Sequence, residues 1–124
     1  MGKKILIIDD DPIIVTYLET LLVNNGYETA IAYDGSDAIS IAIEFKPDLI
    51  TLDLDMPKEW GPRFYRKLSK KKECANIPVI IISGLTGREH SINKAIAFFG
   101  KPFNPEDVLK TIKEAIGEPE TIQN

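Results

Sequence analysis

Short β-branched apolar runs alternate with longer stretches of helical period along the whole chain, and this alternation constrains the fold more than any other feature. The runs are Lys4–Ile8 (KILII), Glu28–Tyr33 (ETAIAY), Asp48–Leu52 (DLITL), Pro78–Ser83 (PVIIIS) and Ala97–Phe99 (AFF). The first, third and fourth are almost wholly apolar, which predicts strands covered on both faces, as in a parallel sheet. Alternating β–α units predict an open five-stranded parallel α/β sheet with helices on both faces.

The helical stretches carry recognisable ends. Asp11-Pro12 is an N-cap followed by proline at the first helical position, with Ile14, Leu18, Leu21 and Leu22 as an apolar stripe and Asn25-Gly26 as the stop. Ser36 is the expected cap of a second helix, with Ala38, Ile39, Ala42 and Ile43 inward, ending before Pro47. Gly61-Pro62 opens a third, with Phe64, Tyr65 and Leu68 inward. A fourth is expected around Arg88–Ile96, shortened or irregular because no turn signal separates His90 from Phe99. Asn104-Pro105 opens a fifth, whose buried face is Val108, Leu109, Ile112 and Ile116 and whose stop is Gly117. Residues 1–117 read as one domain and 118–124 as a flexible tail, while Lys70–Lys72 reads as a solvated loop face.

Composition excludes several classes of function. Fifteen Lys and Arg against nineteen Asp and Glu give a net charge of −4, so the chain as a whole has no basic nucleic-acid footprint. A single cysteine, Cys74, excludes an internal disulfide and suits a reducing cytoplasm. No apolar run approaches the roughly 20 residues that span a bilayer, so no membrane insertion is expected.

In open α/β sheets, binding sites form beyond the carboxyl ends of the strands. Asp9 and Asp10 follow the first strand, Asp53 the third and Lys101 the fifth, while Ser83 ends the fourth. Asp11 belongs to the helix cap. Two carboxylates about 4 Å apart repel by about 4 kcal/mol at an effective dielectric of about 20. Some must therefore take up protons, or a cation must sit among them. Oxygen donors without clustered His or Cys favour a hard ion such as Mg²⁺ or Mn²⁺. An Asp, a hydroxyl, a lysine and a divalent metal are the parts of a phosphoryl-transfer site.

With these pieces in order, the sequence resembles the receiver domain of two-component response regulators and is similar to CheY-like proteins over roughly residues 3–117. ILIIDDDP resembles the acidic-pair motif, LDLDMPKEWG the phosphoacceptor strand and loop, IIISG the strand ending in a hydroxyl residue, and KPF the lysine–proline motif. The resemblance implies a flavodoxin-like sheet of order 2-1-3-4-5, with Asp53 as phosphoacceptor. It implies Mg²⁺ held by Asp10 and Asp53 and by the main-chain carbonyl of Asp55, with Asp9 acting mainly through water. Ser83 and Lys101 would bind phosphoryl oxygens, Lys101-Pro102 would be cis, and Phe98 would occupy the place of the aromatic switch residue.

The implied partners are a sensor histidine kinase or histidine phosphotransfer protein and a downstream protein target. The implied molecule is a stand-alone cytoplasmic receiver, monomeric or weakly homodimeric, and not an enzyme on external metabolites. Asp55 adds a carboxylate that the reading connects with the lifetime of the acyl phosphate. Trp60 lies beside the expected metal, and His90 reads as an exposed helix residue. Two other readings compete: a receiver-like interaction module that is not phosphorylated, and a haloacid-dehalogenase-type phosphohydrolase suggested by Asp53-Leu54-Asp55. The second places its Asp-x-Asp after the wrong strand and leaves too little chain for a cap domain.

Overall fold

The computed structural model describes residues 2–56, 59–84 and 95–119, with main chain alone at 59–62. Five strands, β1 (Lys4–Ile8), β2 (Glu28–Ala32), β3 (Leu49–Leu52), β4 (Val79–Ser83) and β5 (Ala97–Gly100), form one sheet in the order β2-β1-β3-β4-β5. Every neighbouring pair in it is parallel. The helices are α1 (Pro12–Asn24), α2 (Gly35–Phe45), α3 (Gly61–Ser69) and α4 (Pro105–Ile116). The expected sheet and strand order are those observed. The expected helix near Arg88–Ile96 falls mostly on residues 85–94, which lie outside the described residues, as does His90.

Side-chain alternation along the strands divides the core in two. Leu6, Ile8, Ile50, Leu52 and Ile81 point to the face covered by α2 and α3, where they meet Ala38, Ala42, Phe64 and Leu68. Ile5, Ile7, Leu49, Ile80 and Ile82 point to the opposite face, where Leu18 and Leu22 of α1 and Val108 and Ile112 of α4 cover them. The central strands β1, β3 and β4 are therefore apolar on both sides, which is why their sequences lack a polar alternation.

Caps set the helix entries. The Asp11 side chain accepts from Ile13 N–H at 2.9 Å, with Pro12 next in the chain. Asn104 accepts from Glu106 and Asp107 N–H at 2.8 and 3.2 Å. Helix α2 corrects the expected cap. Asp34, not Ser36, accepts from the main-chain N–H groups of Ser36 and Asp37 at 2.9 and 3.2 Å, and Ser36 sits inside the first turn donating its hydroxyl to the same carboxylate. An ionised oxygen satisfies unpaired N–H groups at the positive helix end better than a hydroxyl does. Helix α2 stops with Lys46 in the left-handed region (φ 54°), because the residue before Pro47 avoids the right-handed helical region.

Between β3 and α3 lies a feature the sequence pattern does not announce. Asp55–Met56 pairs antiparallel with Glu59–Trp60 in a two-residue ladder. Met56 turns into the core while the Asp55 side chain faces solvent. At the other end of the molecule, Tyr27 OH donates to Gly117 O at 3.3 Å, and Pro119 lies against Gly26.

Candidate functional site

The carboxyl ends of β1, β3, β4 and β5 bring Asp9 and Asp10, Asp53, Ser83 and Lys101 to one edge of the sheet. Parallel pairing brings them together: Asp9 N–H donates to Ala32 O at 3.1 Å, and Asp53 N–H donates to Ile8 O at 2.9 Å. Asp9, Asp53 and Ser83 are buried polar residues at 2–3% exposure. Asp10 is more open to solvent than Asp9 and Asp53. One carboxylate oxygen from each of Asp9, Asp10 and Asp53 lies within 4.8 Å of the others.

Lys101 enters from the end of β5, and the Lys101–Pro102 bond is cis as the resemblance implies. Its Nζ donates to Asp9 Oδ2 at 2.8 Å and stands 3.6 Å from Asp53 Oδ1. The other Asp9 oxygen accepts from Asp11 N–H at 2.9 Å. Asp53 Oδ1 also accepts from Asp55 N–H at 3.2 Å, and the buried Ser83 ends the neighbouring strand β4.

The electrostatics follow from this crowding. Burial pushes the Asp53 carboxyl above its ordinary range, and the charge of Asp9 adds to the shift. The Asp55 N–H, Lys101 and Ser83 oppose it without cancelling it. Asp10 is also raised, chiefly by loss of solvent, with Asp53 contributing against its own main-chain hydrogen bond. For Lys101, burial disfavours the ammonium. The hydrogen bond to Asp9 and the charges of Asp53, Asp9 and Asp11 outweigh it, so the lysine holds its proton more tightly than usual. Among the described residues, three carboxylates against one ammonium leave the site short of positive charge. The oxygen-only donor set could hold a hard divalent cation.

Of the residues picked from sequence, the structure gathers Asp9, Asp10, Asp53, Ser83 and Lys101. It does not bring the Asp55 carboxylate into the acidic group; Asp55 reaches Asp53 through its main-chain N–H. Phe98 lies on β5 with its ring outward at 36% exposure, while Phe99 turns into the core. The Trp60 side chain lies outside the described residues. What sequence reasoning missed is the bond of Asp9 to Lys101. Nothing in either motif signals it, since 92 positions separate the two.

Residues 5–113 match the family model described as the response regulator receiver domain. The chain belongs to the response regulator receiver domain family. Among curated relatives of this receiver, Protein Rrf1 of Nitratidesulfovibrio vulgaris is 34% identical over 126 residues, covering 98% of this chain and 91% of the relative. Among solved structures, the chemotaxis protein CheY4 of Vibrio cholerae superposes with a TM-score of 0.83 at 27% identity, covering 93% of this chain and 99% of that one. A receiver domain of a sensor histidine kinase from Pseudomonas aeruginosa, with magnesium coordinated in its active-site cleft, shares the fold with a TM-score of 0.85 at 24% identity. It covers 95% of this chain and all of its own. No helix among the described residues is long and apolar enough to cross a membrane.

Proposed function

We propose that this receiver accepts a phosphoryl group on Asp53 from a histidine kinase or histidine phosphotransfer protein, in a reaction that requires Mg²⁺, and signals through protein contacts. The observation that carries the proposal is the convergence of three carboxylates, one hydroxyl and one ammonium at a single strand-end pocket.

In the transfer, an Asp53 carboxylate oxygen attacks phosphorus, the new P–O bond forms as the P–N bond of phosphohistidine breaks, and the departing imidazole takes up a proton from solvent. Lys101 Nζ already touches Asp9 and Asp53, so an ammonium stands where a phosphoryl oxygen on Asp53 will need one. Ser83 Oγ would donate to another of those oxygens. Asp10 and Asp53, with the Asp55 carbonyl, are the groups that would hold Mg²⁺, which when bound neutralises charge on the phosphoryl oxygens. Asp9 stays paired with Lys101 and aims it. The raised carboxyl of Asp53 is a feature of the metal-free pocket; with a divalent cation bound, the ionised nucleophile is favoured.

A donor has a surface to approach beside the pocket. Ile13 of α1 is 78% exposed, and the Tyr17 ring packs on Phe103 at 5.6 Å between centroids, so an apolar strip borders the acidic entrance. Phe98, outward on β5, is the ring whose inward movement would report engagement of Ser83 by phosphate. The single buried thiol of Cys74 suits a cytoplasmic setting.

The test is incubation with Mg²⁺ and a small phosphodonor such as acetyl phosphate, followed by intact-mass measurement. The expected result is one labile phosphoryl adduct, absent from Asp53→Asn and absent when the metal is chelated. An adduct of equal yield in the variant would overturn the assignment. Sustained release of phosphate from varied esters would instead indicate a hydrolase.

A further inference from the structure

The strongest concentration of charge outside the acidic pocket is positive. Arg63, Arg66, Lys67, Lys70, Lys71 and Lys72 fall within ten consecutive positions that hold no acidic residue, which leaves the rest of the chain at a net charge of −10. All six are exposed. Phe64 and Leu68 anchor α3 to the sheet, so Arg63, Arg66, Lys67 and Lys70, at i, i+3, i+4 and i+7, form one outward stripe. At about 1.5 Å rise per residue the stripe is about 10 Å long, and Lys71 and Lys72 extend it beyond the helix. Among the described residues, no ion pair engages Arg63, Arg66, Lys70, Lys71 or Lys72.

Helix stability does not account for this arrangement. Like charges three and four positions apart repel one another on a helix surface. Arg66 and Lys67 suit the last turn, but Arg63 sits in the first turn, at the positive end of the helix dipole, where a cation is unfavourable. Solubility does not require it either, because the acidic remainder already takes the chain away from zero net charge.

We propose that the outward stripe of α3 and the turn after it dock an acidic helix of a partner protein, one presenting carboxylates a turn apart along one face. Two arginines in the stripe match carboxylates with paired donors. On the same side of the sheet, α2 exposes Asp37 and Glu44. An extended anionic surface that covered both helices would meet those carboxylates, whereas a single acidic helix confined to α3 would not. With no large apolar residue exposed on the stripe, association is steered by charge and sensitive to salt.

The test uses the full chain and a fluorescent, helix-stabilised peptide with Glu at i, i+3, i+4 and i+7, followed by anisotropy. The same composition with Glu spread around the helix serves as control, alongside phosphatidylglycerol vesicles and a duplex DNA. One-faced peptide should bind more tightly than the spread control. Arg63→Gln with Arg66→Gln should weaken it by about tenfold or more, since truncating charge contacts at an interface acts on this scale. Arg63→Lys with Arg66→Lys should bind more tightly than the Gln pair but more weakly than the parent, since charge is kept and the paired donors are lost, and circular dichroism of both variants should match the parent. Equal binding of both peptides, no effect of the Gln pair, or tighter binding to vesicles or duplex would each overturn the proposal.

Discussion

Replacing Asp53 by Asn removes one charge from the acidic pocket while keeping its shape, and the geometry gives the sign and size of the effect on metal-free protein. Carboxylate oxygens of Asp9 and Asp10 lie within 4.8 Å of one on Asp53, and each contact at that distance repels by about 3.5 kcal/mol at an effective dielectric of about 20. Lys101 at 3.6 Å returns about 4.6 kcal/mol of attraction on the same scale. The balance is unfavourable by about 2 kcal/mol before the cost of burying the charge, so Asp53→Asn should stabilise the apoprotein. Screening reduces the gain to about 1–2 kcal/mol, or a rise in Tm of about 3–8 °C for a domain of this size.

The pH dependence has a definite sign. The folded-state proton affinities of Asp53 and Asp10 lie above the ordinary carboxylate range, so the folded state binds more protons than the unfolded one in that interval. The destabilisation is full at pH values above the raised folded affinities and is relieved as pH falls through them. The advantage of the variant over wild type should therefore shrink on acidification. Thermal unfolding by circular dichroism, in low salt with chelator and then with Mg²⁺, reads both effects. Wild type should gain stability from Mg²⁺ as ligand linkage requires, and the variant should gain much less. A less stable variant in chelator, or an equal gain from Mg²⁺, would refute the reasoning.

Lys101→Gln should act in the opposite direction, because it strips Asp9 of its only cationic partner among the described ion pairs. Urea unfolding without metal should show a loss of about 2–3 kcal/mol, near the lower range for breaking a buried pair since the lysine is partly exposed, and an unchanged midpoint would contradict the pairing. Apparent Mg²⁺ affinity should fall as pH is lowered, because protons compete at Asp10 and Asp53, whose carboxyls hold protons more tightly than usual. Titration calorimetry across pH 5–8 reads this, and a flat profile would remove it. Asp55 leaves its carboxylate in solvent beside the Asp53 oxygen that its N–H contacts, so Asp55→Asn should change the lifetime of the acyl phosphate. Equal dephosphorylation rates would remove that idea.

The parts of the structure that were legible in sequence are those where one physical signal dominates. β1, β3 and β4 are apolar on both faces, so KILII, LITL and VIIIS stand out to within a residue. The acids and the lysine were legible because strand ends in a parallel sheet share one edge. Less legible was anything set by two competing local signals. Asp34 and Ser36 both suit an N-cap, and the ionised acceptor wins. Phe98 and Phe99 are chemically alike, and only register places one outward and the other in the core. The two-residue ladder at Asp55–Met56 is too short to show a period. The Lys101–Asp9 bond is a product of tertiary structure alone.

The central claim is that Asp53, among several neighbouring carboxylates, is the one that captures phosphorus. Borohydride reduces an acyl phosphate to the alcohol and leaves free carboxylates untouched, so it converts a phosphorylated aspartate into homoserine. Treatment of the Mg²⁺- and phosphodonor-exposed protein, followed by tandem mass spectrometry of its peptides, should place homoserine at position 53 alone. Homoserine at position 9, 10 or 55 instead, or at none of them despite a phosphoryl adduct in the intact mass, would contradict it.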